Sequence, residues 1–193
     1  NGKEESIKGV LPIVKKYGAV VIALTLDEKG IPVTSDERLE VAKKIINASV
    51  NYGIRKEKII VDTLVLSASS NQDLIKETID AIEKVRKLNV KTCLGVSNVS
   101  FGLPNRQVLN KNFLMMALTK GLNMPIINPL DKDMIAAIKS YNVIMNYDQN
   151  CESYIEYFGN EDYNNDSISI TSVSEIIKKG LKGRIADIVI NEL

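Results

Sequence analysis

A chain of 193 residues, 45% of them hydrophobic, with both charge signs in balance, is long enough for one sizeable core and excludes a disordered or fibrous polymer. The net charge of +1, left by 25 basic and 24 acidic groups, builds no positive field for nucleic acid or an anionic lipid surface, so neither is expected as a partner. No apolar run approaches the roughly 20 residues of a membrane helix, and no basic, cleavable signal pattern is present. Cys93 and Cys151 lie far apart without metal-ligand spacing, as reduced, buried thiols of a cytoplasmic protein would. The absence of histidine removes a His general base, an imidazole zinc ligand and a Ser-His-Asp triad, and no metal site is expected.

The opening "NGKEES" runs directly into a helix predicted over Glu4 to Lys16, with no strand before it, as in a chain cut out of something larger. "AVVIALT" follows as a strand near 19–25, then a helix over Asp36 to Asn51 whose Thr34 and Glu37 match a capping box. "KIIVDTLVL" places a second strand near 58–62. The helix over Asp73 to Lys87 has the same signal in Ser69 and Gln72. "KTCLGVS" is a third strand near 91–96, followed by a helix over Gln107 to Lys120, and "MPIIN" a fourth near 124–127, followed by a helix over Lys132 to Met145. Near-continuous apolar runs of this length suit strands buried on both faces of a parallel sheet. Gly53 and Gly121 supply left-handed helix ends. Beyond the repeats, "NEDYNNDS" reads as a linker, and Ile176, Ile177, Leu181, Ile185, Ile188 and Val189 fall on helical spacing in a last segment broken near Gly180 and Gly183.

Such alternation yields a doubly wound sheet or part of a (β/α)8 barrel, and no G-x-G-x-x-G follows any strand to favour a dinucleotide site. In either case functional groups gather at the carboxyl ends of the strands. Those ends deliver Thr25, Asp27 and Glu28 from the first strand and Asp62 from the second. The third supplies Ser97, Asn98 and Ser100, the fourth Asn128 and Asp131. Carboxylates and amides without histidine suit hydrogen bonding to a polar heterocycle better than proton shuttling.

Together "ALTLDEKGIPVTSDERL", "IIVDTLVLSAS", "LGVSNVSFGLPNR" and "NFLMMALTKGLNMPIINPLD" resemble the pterin-binding, methyltetrahydrofolate-using domain of the cobalamin-dependent methionine synthase and corrinoid methyltransferase family, over about residues 1–158. The resemblance implies that 1–158 form the C-terminal half of a (β/α)8 barrel of four parallel βα units. Residues 159–171 would then be a linker and 172–193 the start of a helical cap on a cobalamin-binding module. It implies methyl transfer from N5 of 5-methyltetrahydrofolate to cob(I)alamin in methionine synthesis. Asn98 then stands beside N5, Asp62 against the ring's N–H edge, and Arg106 where it can help hold the folate. Cobalamin belongs to a neighbouring module and not to this segment. An isolated half barrel would expose two sheet edges and is expected to self-associate or bind its missing half, and to be inactive alone because ligands from the early strands are absent.

Each residue also has a structural alternative. Asn98 and Ser100 fit an Asx or Ser/Thr turn, and Asp62 a cap or dipole partner. Asp27, Glu28, Asn128 and Asp131 fit capping and loop roles, Arg106 a surface pair, and "FLMMAL" core packing. Two other functions stay open: the methyltransferase that serves a corrinoid iron–sulfur protein, and a non-catalytic pterin-binding or interaction module.

Overall fold

The computed structural model describes residues 1–159, so the linker beyond Gly159 and the proposed helical cap lie outside the described residues. Four strands, β1 (Val21–Leu24), β2 (Ile59–Asp62), β3 (Lys91–Gly95) and β4 (Met124–Ile126), form one parallel sheet in the order β1-β2-β3-β4. The helices are α1 (Glu4–Tyr17), α2 (Ser35–Asn51), the single turn α3 (Ala68–Asn71), α4 (Asp73–Arg86), α5 (Arg106–Thr119), α6 (Lys132–Ile144) and α7 (Glu152–Gly159). The fold is therefore the expected alternating α/β class with parallel strands.

Helical spacing selects what is buried. Ile7, Leu11 and Val14 of α1 join Val41, Ala42, Ile45 and Ile46 of α2 in a core that also holds Ala23 of β1 and Ile59 and Val61 of β2. Alternate residues of a strand point to opposite faces, so the other face of the sheet carries Ile22 and Met124 at its ends, both exposed. Glu4 and Glu5 open α1 and Lys15 and Lys16 close it, complementing the helix dipole, and Gly18 ends it in the left-handed region. Gly53 (φ 75) and Gly121 (φ 97) take the expected left-handed conformation.

Thr34 and Glu37 close both bonds of the capping box on α2. The box expected from Ser69 and Gln72 does not form. Ser69 lies inside α3, and its hydroxyl donates instead to the carbonyl of Phe101, 2.9 Å away and 32 residues on. The hydroxyl is held by a long-range acceptor instead of accepting from the Gln72 amide as a cap would. Cys93 is buried as expected, whereas Cys151 is half-buried, and both are free. In "FLMMAL", Phe113, Leu114, Ala117 and Leu118 are core residues and Met116 is exposed.

The described residues divide into two compact units, 1–138 and 139–159. Within the second, the Asp148 carboxylate accepts from the amides of Ser153 (3.0 Å) and Tyr154 (2.8 Å), capping α7, and Lys139 donates to Ser153.

Candidate functional site

The parallel register sets Leu24, Asp62, Cys93 and Met124 in one row across the sheet, on the face opposite the helical core. Asp62 is thus a carboxylate in an otherwise apolar row at the end of β2, with only 8% of its surface exposed. Burial pushes its carboxyl above the usual range, and an amide donated by Leu64 to Oδ1 at 2.8 Å partly offsets this. Across the row, burial and the Asp62 charge push the Cys93 thiol up to about 12, so Cys93 stays a thiol at neutral pH and is no nucleophile. Thr25 locks the ends of β1 and β2 together: its amide and its hydroxyl both donate to the Asp62 carbonyl, at 3.0 and 3.1 Å.

After β3 the chain curls at once into a 3₁₀ turn, Val96–Ser100. Val96 and Val99 are fully buried and pin this turn, which leaves Ser97 and Asn98 facing solvent. No bond from the Asn98 side-chain amide exists within the described residues; its backbone carbonyl accepts from Phe101. Gly95 lies beneath it, and a Cβ built there would stand 3.3 Å from Asn98 Nδ2. The turn is braced from two sides. Arg106, the first residue of α5, donates through Nε to the Ser100 hydroxyl and through a terminal nitrogen to the Ser97 carbonyl, both at 2.9 Å. Ser100 in turn donates to the Ser97 carbonyl at 3.2 Å and is fully buried. From the other side Ser69 holds Phe101, as above.

The remaining strand-end residues are spent locally. Asp27 accepts from the Lys29 amide in the β1–α2 loop, and Glu28 accepts from the Glu4 amide at the start of α1. Asn128 accepts from the Leu130 amide, and Asp131 accepts from Met134, capping α6. The topology therefore brings Asp62 and Asn98 to the same edge of adjacent strands, with Arg106 and Ser100 supporting the second. Asp27 and Asn128 form the turns of the outer loops.

Sequence reasoning passed over Arg38. It lies on the buried stripe of α2 with Val41, Ala42, Ile45 and Ile46, at the helical spacing that could have revealed it, and is 0% exposed. Its Nε donates to the Pro32 carbonyl at 2.9 Å. Its Nη1 meets the carbonyls of Thr63 (3.1 Å) and Leu64 (2.9 Å) and the Thr78 hydroxyl (2.6 Å).

Among the described residues, no group of three or more His, Cys, Asp or Glu side chains could hold a metal ion, and no helix is long and apolar enough to cross a membrane.

A family model described as "Pterin binding enzyme" matches residues 1–128. The chain is 39% identical over 137 residues to a methionine synthase of Mycobacterium leprae, covering 66% of this chain and 11% of that protein. It is 36% identical over 137 residues to a methionine synthase of Mycobacterium tuberculosis, covering 66% and 12%. It is 25% identical over 181 residues to a methylcorrinoid:tetrahydrofolate methyltransferase of Eubacterium limosum, covering 80% of this chain and 67% of that protein. The chain thus spans only about a tenth of the two methionine synthases.

Proposed function

The chain belongs to the pterin binding enzyme family, and from that premise we propose that it forms part of a folate site where a methyl group passes between N5 of 5-methyltetrahydrofolate and a corrinoid. The observation that carries this reading is the pairing of Asp62 and Asn98 at the carboxyl ends of adjacent parallel strands: one group is a largely buried carboxylate, the other an amide left without a side-chain partner among the described residues. A pterin presents N–H donors on one edge and N5 on the other ring. Asp62, ionised, accepts from the N–H edge. Asn98 meets N5, and because an amide both donates and accepts, it can follow N5 as the charge there changes between substrate and transition state. Methyl transfer away from N5 needs a hydrogen bond or proton on the departing nitrogen. One donor aimed at such developing charge contributes roughly 3 to 4 kcal/mol in comparable sites.

The corrinoid is the second substrate, presented by another module; cobalamin would fill that role in a methionine synthase. The name of the Eubacterium limosum relative runs in the opposite direction, from methylcorrinoid to tetrahydrofolate. The Asn98 amide serves either direction, since N5 passes through the same transition state. That relative, two thirds of whose length this chain covers, favours a second reading as a methyltransferase acting on a separate corrinoid protein. In both readings residues 1–158 supply the C-terminal half of a barrel. The open edges at β1 and β4 then await strands, and further pterin ligands, from outside the described residues.

The test is methyl transfer between 5-methyltetrahydrofolate and free cob(I)alamin by the intact protein, alongside folate binding. Asn98→Ala should slow transfer by about 10²- to 10³-fold while weakening folate binding less than about tenfold. Folate binding with no transfer in the intact wild-type protein would sink the catalytic reading and leave a pterin-binding module.

A further inference from the structure

Leu64 follows the strand end in the left-handed region (φ 58), a conformation that a bulky apolar residue rarely adopts and that persists only where its surroundings enforce it. That conformation aims the Leu64 amide at Asp62 Oδ1, 2.8 Å away. The enforcing groups stand on the other side of the peptide: the Leu64 carbonyl accepts from Arg38 Nη1 at 2.9 Å and from the Thr78 hydroxyl at 3.2 Å. The Thr63 carbonyl accepts from the same Nη1.

A fully buried guanidinium is costly unless a carboxylate is bonded to it. Here none is. All its acceptors are neutral, and Nη2 finds no partner among the described residues. Glu77, the acidic group that acts on it from α4, spends an oxygen instead on the Ser35 amide, and burial accordingly lowers the affinity of Arg38 for its proton. An ion pair for stability would look different. The fork of an arginine reaches acceptors on the β1–α2 loop, the β2–α3 turn and α4 at once, which a lysine point charge does not.

We propose that Arg38, with Thr78, is a positioning residue for Asp62, holding Leu64 in its strained conformation so that the Leu64 amide fixes the carboxylate that receives the pterin N–H edge. The identity of that ligand rests on the function proposed above; the positioning does not. Asp62 is faced from β3 by the Cys93 thiol, while Arg38 from α2 and Glu77 from α4 stand beyond the Thr63–Leu64 turn. Losing the Leu64 bond removes a donor to the ionised form, so the carboxyl should titrate higher.

The test follows the Asp62 carboxyl and the Leu64 amide by NMR in the full 193-residue chain, in wild type, Arg38→Lys, Arg38→Met and Thr78→Val, with 5-methyltetrahydrofolate binding measured on the same variants of the intact protein. The expected result is an upward shift of the Asp62 midpoint and faster Leu64 amide exchange in all three variants. Methyltetrahydrofolate affinity should fall about tenfold in Arg38→Lys but show no further fall in an Asp62→Asn background, because residues acting through one another are non-additive. A midpoint that moves in Arg38→Met but stays put in Arg38→Lys and Thr78→Val would reduce Arg38 to a charge effect and overturn the positioning role. So would variants that melt earlier with the midpoint unmoved. If Arg38→Met does not fold, the other two decide. An intact wild-type protein that does not bind the folate, beside an Asp62 that titrates as expected, would refute the proposed ligand and leave the positioning of Asp62 standing.

Discussion

Arg106 donates to the hydroxyl of Ser100 at 2.9 Å, and through that bond α5 braces the turn that presents Asn98. Both polar contacts of Arg106 are made within its own loop, the other being the Ser97 carbonyl. Arg106→Ala should therefore lower the rate of methyl transfer by roughly tenfold or more by loosening Asn98, with a smaller change in folate affinity. The readout is kcat against KM in steady-state kinetics. A loss confined to KM would mean that Arg106 leaves its loop to hold the folate.

Gly95 gives a finer probe of the same geometry. Its φ of −77 admits any side chain, so alanine brings no backbone strain there, yet the new Cβ would stand 3.3 Å from Asn98 Nδ2 and displace the amide by a few tenths of an ångström. Gly95→Ala should keep its melting temperature and lose transfer activity several-fold, less than Asn98→Ala does. Unchanged activity would show that the Asn98 rotamer in the complex differs from the one seen here.

Asp62 links function to pH. Burial raises its carboxyl above its ordinary value of 3.8, so folding disfavours the ionised form. The stability associated with this group is fully present below the unfolded value and is lost as pH rises through the raised folded value. Asp62→Asn, which keeps an oxygen for the Leu64 amide, should accordingly be more stable than wild type near neutral pH, with the gap closing in acid. In the proposed site the pterin edge bonds the ionised acceptor, so in wild type folate affinity should decline on acidification at a higher pH than an ordinary carboxylate would dictate. Denaturant melts and folate titrations from pH 4 to 8 check both signs.

Thr34 tests the framework away from the site. Its hydroxyl accepts from the Glu37 amide at 3.2 Å, and Glu37 returns a bond to the Thr34 amide at 3.0 Å. Thr34→Ala should cost about 1 kcal/mol, seen as a lower denaturation midpoint at unchanged m value, with pterin binding retained. The exposed i,i+4 ion pairs, such as Lys87 with Glu83, should matter far less.

The sequence by itself determined the alternation of strand and helix, each expected boundary falling within two residues of the observed one from Val21 to Ile144, apart from the extra turn α3. Hydrophobic period, glycine ends and the Thr34 cap are local signals, and a local signal is legible without the fold. It also gave Asp62 and Asn98 their address, because parallel strands send every carboxyl end the same way. The destinations of Ser69, Arg106 and Arg38 were a different matter. Ser69 had a plausible partner three residues away and took one 32 residues away, while Arg38, charged and beside the capping box, drew no role from the sequence and is a fully buried cation. Its acceptors lie on three separate segments, and no pattern along the chain encodes which carbonyls will be left unpaired when those segments meet. A hydrogen bond across tens of residues depends on distances that only packing sets, so the residues that aim the site, unlike those that form it, were decided by the tertiary structure.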